Sequence, residues 1–133
     1  MASIFSKIIS GEIPAYKVAE TQEFLAFLDV RPVGKGHVLC IPKEEIDYIF
    51  DMSDESYAKL MQFAKIVAIG LKKAVPCKKI GITVIGLEVP HAHVHLVPMN
   101  ELNDMNFAGV RPEFTKEEFE NLAAEIAQAI TSL

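Results

Sequence analysis

Residues 91–98, His-Ala-His-Val-His-Leu-Val-Pro, place three histidines at alternate positions: His91, His93 and His95. Successive side chains of a β-strand point to opposite faces, so this spacing predicts a strand with all three imidazoles on one face. A helix does not bring residues i and i+2 to one face. Imidazoles held close together repel one another when protonated, and burial lowers their pKa. We therefore interpret the stretch as a functional site.

Length and composition indicate one globular domain that spans residues 1–133. Half of the residues are hydrophobic (50%) and 23% are charged, which argues against disorder. The net charge of −5 and the lack of a basic run argue against binding of nucleic acid. No apolar run approaches the roughly 18 residues of a membrane span, and no signal-peptide pattern opens the chain. Cys40 and Cys77 form no CxxC motif, so we expect reduced thiols and a cytoplasmic protein.

Hydrophobic patterning predicts an α+β fold, with an antiparallel sheet of about five strands and two main helices. The predicted strands cover residues 16–19, 23–30, 37–41, 79–85 and 91–98. The main helices begin after the caps Ser53 and Thr115, and a short helix follows Ser3. We also expect one or two helical turns within residues 44–50 and a surface loop over residues 99–113.

Three interpretations of the histidines remain open. His91, His93 and His95 can be ligands of a zinc ion. Alternatively, one imidazole is a nucleophile and the others hold an oxyanion, as in phosphoryl or nucleotidyl transfer. The third interpretation is a polar sheet face without chemistry. Three alternating residues extend over about 7 Å of strand, which suits a row of donors along a phosphate at least as well as one tetrahedral metal. His37 begins another strand after Gly36 and can close the cluster.

The pattern His-apolar-His-apolar-His-apolar-apolar resembles the signature of the histidine triad (HIT) family of nucleotide hydrolases and transferases. Residues 4–15, 25–32 and 37–43 also follow the order and character of the Hint branch of that family. The resemblance covers about residues 3–98, whereas residues 99–133 differ from the short Hint ending. It implies an α+β homodimer that cleaves a nucleoside monophosphate, AMP or GMP, from an amine, acyl or phosphate leaving group. We expect no cofactor and no metal ion.

The resemblance also implies roles for individual residues. The middle histidine, His93, attacks the α-phosphorus and forms a nucleotidyl-imidazole intermediate that water hydrolyses. His91 and His95 orient it and contact phosphate oxygens, and His37 supports the cluster. Asp29 matches the family's ligand of the ribose hydroxyls. Six apolar residues match the pocket for a purine base, although by themselves they read as core: Ile4, Phe5, Ile13, Phe27, Leu28 and Val30.

The chain departs from the family pattern at two places. Relatives carry a Gln followed by Ser or Thr ahead of the triad, where this chain has Leu87 and Glu88. A carboxylate close to a phosphate is repulsive, so we expect Glu88 either to select an amine-bearing leaving group or to protonate it. Some bacterial relatives hold zinc through cysteines that begin where this chain has Ser6. The alternative functions are a nucleotide-binding module without turnover and, less favoured, a zinc-binding protein.

Overall fold

The computed structural model describes residues 2–133, and Met1 of the predicted domain lies outside them. Five strands form one antiparallel sheet in the order β1-β2-β3-β5-β4. The strands are β1 (Lys17–Glu20), β2 (Phe24–Leu28), β3 (Val38–Pro42), β4 (Lys79–Thr83) and β5 (Val94–Met99). The helices are α1 (Ile4–Ser10), α2 (Asp54–Ala74) and α3 (Lys116–Thr131). The predicted α+β class, with five strands and two main helices, is confirmed.

The two faces of the sheet bury different sets of side chains. Phe24, Ala26 and Leu28 of β2 join the main core with α2 and α3. The residues between them, Leu25 and Phe27, face the other way and pack in a smaller cluster with Phe5 and Ile8 of α1. This alternation follows from the two-residue period of a strand. The smaller cluster therefore belongs to the sheet face that carries the histidines.

The helices begin at the predicted caps. Ser3 Oγ accepts the Ser6 N–H at 3.0 Å, Ser53 Oγ accepts the Ser56 N–H at 3.1 Å, and Thr115 forms a capping box. Each such cap stabilises a helix by about 1 kcal/mol. Across residues 2–133, no helix has the length and apolar character needed to cross a bilayer. Both cysteines are free thiols.

The predicted histidine strand is wrong at its beginning, because β5 begins only at Val94. Ahead of it, the His91 N–H donates to the Val89 carbonyl and the Ala92 N–H donates to the Ile46 carbonyl. These bonds replace the ladder bonds of a sheet. The side chains still alternate, since Ala92 and Val94 join the main core. Sequence periodicity predicts to which side the side chains of an extended segment point, but it does not predict the partners of the backbone hydrogen bonds.

Two further boundaries differ from the prediction. The neighbouring strand β4 ends at Thr83, which pairs with His95, and does not continue to Ile85. It has no partner beyond that point, because β5 has not yet begun. Only a short 3₁₀ turn, Ile49–Asp51, forms within residues 44–50.

Candidate active site

The structure brings all four histidines together on the α1 side of the sheet. His95 lies in β5 opposite Leu39 of β3, and His37 directly precedes β3. The ring centroids of His93 and His95 are 4.8 Å apart, and those of His37 and His95 are 5.1 Å apart. His37 and His91 are fully enclosed, whereas His93 and His95 keep 7% and 6% of their surface exposed. The last two are therefore the members that a ligand can reach.

The proton on His93 can be placed from its hydrogen bond. Its Nδ1 lies 2.8 Å from the carbonyl oxygen of His91. A carbonyl oxygen only accepts, so Nδ1 carries the proton and Nε2 keeps its lone pair. Nε2 makes no hydrogen bond to any of residues 2–133, and no fully buried polar side-chain atom in that range lacks a partner. Nε2 of His93 is consequently an accessible lone pair, which is what a nucleophile requires.

A hydrogen bond from His37 determines which nitrogen of His95 carries the proton. The Val33 N–H donates to His37 Nδ1 at 3.1 Å, so the proton of the neutral His37 ring is on Nε2. His37 Nε2 donates that proton to His95 Nδ1 at 2.9 Å. Asp29 Oδ2 lies farther away, at 3.7 Å from the same nitrogen. His95 therefore carries its own proton on Nε2, where it can be given to a phosphate oxygen or a leaving group.

His91 is held at both nitrogens. Nε2 donates to the Pro42 carbonyl at 2.7 Å, and Nδ1 lies 2.9 Å from Ser3 Oγ. Burial favours the neutral ring by lowering the pKa of His91, and in that ring Nδ1 is the unprotonated nitrogen to which the Ser3 hydroxyl donates. His91 thus orients His93 with its backbone carbonyl, while its ring is fixed by other groups.

Burial favours the neutral form of three of the histidines. Burial lowers the pKa of His37 to about 4, although the nearby Asp29 carboxylate opposes the shift. Burial, together with charge on His37, His93 and Arg111, lowers the pKa of His95 to about 3. The pKa of His91 is lowered by burial too. The hydrogen bonds that His37 and His95 accept also require neutral rings, because an imidazolium has no lone pair to accept with.

Comparison with known proteins identifies the family. The HIT domain matches residues 10–102. The chain belongs to the HIT family. It is 38% identical to adenosine 5'-monophosphoramidase hnt1 of Schizosaccharomyces pombe, over 98% of this chain and 99% of the relative.

Solved structures of HIT proteins share the fold. A histidine triad nucleotide-binding protein from Sulfolobus tokodaii superposes with a TM-score of 0.82 at 31% identity, over 97% of this chain and 92% of the other. A zinc-bound histidine triad protein from Mycobacterium smegmatis superposes with a TM-score of 0.80 at 27% identity, over 100% and 99% of the two chains.

The apolar residues assigned to the base pocket of this HIT protein fall into three groups. Phe5 contacts the His93 ring edge-on at 5.0 Å between centroids and the Phe27 ring at 5.6 Å, and Ile13 packs beside them. Ile4 and Val30 are exposed, as residues that contact a ligand must be before it binds. Leu28 does not fit the pocket to which it was assigned, because its side chain is 2% exposed and lies in the main core, on the opposite face from Phe27.

The two predicted carboxylates differ in their surroundings. Asp29 follows β2, where its Oδ1 accepts the Arg31 N–H at 2.8 Å and its Oδ2 faces His37. Glu88 is exposed in the turn that contains Gly86, which adopts a φ of 69°. It forms no hydrogen bond or ion pair with the rest of residues 2–133. The structure thus joins Asp29 to the histidine cluster and leaves Glu88 at the surface.

Metal binding fits these protonation states poorly. Asp29, His37 and His95 offer ligand atoms within 4.8 Å of one another. A metal on His37 Nε2 would meet a nitrogen that carries the proton, because the Val33 N–H already occupies the lone pair of Nδ1. The predicted zinc set meets a similar obstacle, since the unprotonated nitrogens of His91 and His95 already accept from the Ser3 hydroxyl and from His37. The four rings are therefore held by hydrogen bonds.

Sequence reasoning missed residues in the segment after β5. The Phe107 ring lies edge-on to His95 at 4.9 Å and to His37 at 5.7 Å. Arg111 Nη1 donates to the Arg31 carbonyl at 2.7 Å, and its Nη2 donates to the Phe107 carbonyl at 3.0 Å. The predicted surface loop therefore folds back over the site. Residues 99–113 carry no periodic pattern, so nothing in the sequence signalled this contact.

Proposed function

We propose that this HIT enzyme hydrolyses nucleoside 5'-phosphoramidates through a covalent bond between His93 Nε2 and the α-phosphorus. The observation that carries the proposal is the 2.8 Å hydrogen bond from His93 Nδ1 to the His91 carbonyl, because it leaves the lone pair of Nε2 accessible. Membership of the family and the likeness to the S. pombe phosphoramidase support nucleotide hydrolysis in general. The intermediate and the substrate are the proposed part.

In the first step, Nε2 of His93 bonds to phosphorus and the bond from phosphorus to the leaving nitrogen breaks. The His93 ring keeps its Nδ1 proton and becomes positively charged, which the His91 carbonyl stabilises. The leaving nitrogen takes a proton from solvent, so that a neutral amine departs, and the His95 Nε2–H donates a hydrogen bond to a phosphate oxygen. His37 stabilises the arrangement because its Nε2 proton points at His95 Nδ1.

In the second step, a water molecule attacks phosphorus and the bond to His93 breaks. The water gives up one proton to a phosphate oxygen, and His93 departs as a neutral ring that keeps its Nδ1 proton. The products are a nucleoside monophosphate and an unchanged enzyme. His95 is a hydrogen-bond donor to the phosphate in both steps, which its position beside His93 allows.

Recognition of a purine nucleotide is assigned to residues around the cluster. The Asp29 carboxylate is an acceptor suited to two vicinal ribose hydroxyls. Phe5, Phe27 and Ile13 offer an apolar surface beside His93, and the exposed Ile4 and Val30 lie at its rim. The S. pombe relative is named for an adenosine substrate, which favours AMP over GMP as the nucleotide released. Glu88 is proposed to select an amine-bearing leaving group.

We further propose that the protein is a homodimer that pairs through β4. This strand is at the edge of the sheet, with β5 on one side only. It presents the exposed Ile82, followed in the chain by the exposed Val84 and Ile85, and unprotected apolar edges are suited to pairing with another chain. A cavity of about 510 Å³ lies beside them, lined also by Tyr48 and Phe50, and it contains none of the four histidines. Light scattering of wild type and Ile82→Glu tests this: a dimer that becomes a monomer is expected, and a monomeric wild type contradicts it.

Steady-state hydrolysis of adenosine 5'-phosphoramidate tests the proposed reaction. We expect release of AMP by the wild type and a loss of at least about a thousandfold in His93→Ala. The rival function is a nucleotide-binding module without turnover. Tight binding of AMP with no hydrolysis above the His93→Ala background would establish that rival instead.

A further inference from the structure

A polar cluster behind His91 joins α1 to the segment after β3. Its members are Ser3, Ser6, Glu45 and His91. Glu45 Oε1 accepts the Ser3 backbone N–H at 2.6 Å and the Ser6 hydroxyl at 2.8 Å. Ser3 Oγ lies 2.9 Å from His91 Nδ1, and both Ser3 and His91 are buried. These hydrogen bonds connect an exposed carboxylate to the first histidine of the triad.

The hydrogen-bond directions in this cluster depend on the charge of His91. In the neutral ring, which burial favours by lowering the pKa of His91, Nε2 donates to the Pro42 carbonyl and the Ser3 hydroxyl donates to Nδ1. In the imidazolium, Nδ1 would donate to Ser3 Oγ, and the Ser3 hydroxyl would turn to Ser6 Oγ, 3.3 Å away. The same oxygen accepts the Ser6 N–H as the N-cap of α1. Ser3 therefore has two separable functions: it caps a helix with a lone pair, and it holds an imidazole with its proton.

The cluster is connected to the nucleophile by two routes. The His91 backbone carbonyl receives the Nδ1 proton of His93. In addition, α1 carries Phe5, whose ring centroid lies 5.7 Å from that of His91 and 5.0 Å from that of His93. A change in the orientation of the His91 ring or in the position of α1 should therefore change the orientation of His93.

We propose that Ser3, held in place by Glu45, is a positioning residue that keeps His91 neutral and thereby orients His93 for attack on phosphorus. The expected effect on catalysis rests on the proposed function. The expected effect on the protonation of His91 does not. The charged and titratable groups that act on His91 are Glu45, whose carboxylate favours the imidazolium, and His93, which opposes it. The Ser3 hydroxyl adds a bond that only the neutral ring can accept.

The test compares Ser3→Ala with Ser53→Ala. Both variants remove a serine N-cap that accepts a backbone N–H three residues later, at 3.0 Å in α1 and 3.1 Å in α2. Only Ser3→Ala also removes a donor to an imidazole. Nitrogen-15 NMR of the histidines follows the tautomer and titration of His91, and kinetics on adenosine 5'-phosphoramidate separate kcat from KM.

In Ser3→Ala we expect the pKa of His91 to rise, because its neutral form loses a hydrogen bond. We expect kcat to fall roughly tenfold while KM changes less than about twofold, since misalignment affects the chemical step. Ser53→Ala should leave the His91 titration and kcat as in wild type. Ser3→Thr keeps the hydroxyl and should restore both. Glu45→Gln removes a carboxylate that favours the imidazolium, so it should not raise the pKa of His91, and by loosening Ser3 it should lower kcat less than Ser3→Ala does.

Equal titration of His91 and equal kcat in Ser3→Ala and Ser53→Ala would show that Ser3 is only a helix cap and would overturn the proposal. So would a wild-type His91 with its proton on Nδ1 at neutral pH. The NMR result needs no turnover, so it decides the structural part even if the wild type hydrolyses nothing. If Ser3→Ala does not fold, the NMR comparison of Ser3→Thr and Glu45→Gln with wild type decides it.

Discussion

His37 Nε2 donates to His95 Nδ1 across 2.9 Å, although the two residues are 58 positions apart in the chain. The antiparallel pairing of β3 with β5 creates this contact, and the Val33 N–H gives it a direction. The bond determines that His95 carries its proton on Nε2, beside the lone pair of His93. The site therefore holds a hydrogen-bond donor and a candidate nucleophile next to each other.

Replacing His37 tests this relationship. In His37→Phe, His95 Nδ1 loses its donor, so the proton can move to Nδ1 and leave Nε2 without one. We expect kcat for adenosine 5'-phosphoramidate to fall by about 10²-fold, in the range for loss of one hydrogen-bond donor to the transition state. His37→Gln, whose amide can donate in place of the imidazole, should retain more activity. Equal activity of both variants and wild type would show that His37 does not direct the proton of His95.

Acidification should destabilise the fold. In the unfolded chain His37 and His95 bind protons as the pH falls below about 6.5. In the folded protein burial lowers the pKa of His37 to about 4 and of His95 to about 3, so they remain neutral in this window. The unfolded state binds more protons there, and stability falls as the pH falls from 7 toward 4. Urea unfolding at pH 7 and 4.5 should differ by about 2 to 5 kcal/mol. In His95→Gln we expect the change in the free energy of unfolding between the two pH values to be roughly half as large. A change as large as in wild type would show that other groups cause the pH dependence.

Leu28 and Val30, which flank Asp29 in the chain, can be compared to test which of them lies in the base pocket. Leu28 is buried in the main core, whereas Val30 is 62% exposed. We expect Leu28→Ala to reduce the free energy of unfolding by about 2 to 5 kcal/mol without raising KM in the folded enzyme. Val30→Ala should change stability by less than about 0.5 kcal/mol and should raise KM if this residue contacts the base. A raised KM for Leu28→Ala alone would restore Leu28 to the pocket.

Glu88 lies in the exposed turn ahead of the three histidines, and we propose that its carboxylate affects the choice of leaving group. We expect Glu88→Ser to hydrolyse substrates with negatively charged leaving groups several-fold faster, because a like charge has been removed. Hydrolysis of phosphoramidates with cationic amine groups should slow by a similar factor. Measuring kcat/KM for one substrate of each kind separates these effects. Identical ratios in Glu88→Ser and wild type would place Glu88 away from the leaving group.

Elements with a strong local signal were predictable. The caps at Ser53 and Thr115 and the alternation of side chains around His93 follow from short-range rules, and the structure contains all of them. The same alternation predicts that the Leu28 side chain points into the main core, as the structure shows, whereas the family resemblance assigned Leu28 to the base pocket.

Features made by distant partners were not predictable. The chain around His91 is not part of the sheet, because the Ala92 N–H donates to the carbonyl of the distant Ile46. The Ser3 bond to His91 crosses 88 residues, and the Phe107 contact with His95 comes from a segment without periodicity. The histidine pattern located the site, whereas the proton positions needed three-dimensional structure.

A single-turnover experiment tests the central claim most directly. The protein is mixed with adenosine 5'-phosphoramidate labelled at phosphorus, quenched within milliseconds, and examined for acid-labile label on His93. The account predicts that label appears on wild type before free AMP accumulates and that none appears on His93→Ala. Release of AMP from the wild type at full rate, with no label on any histidine, would contradict it.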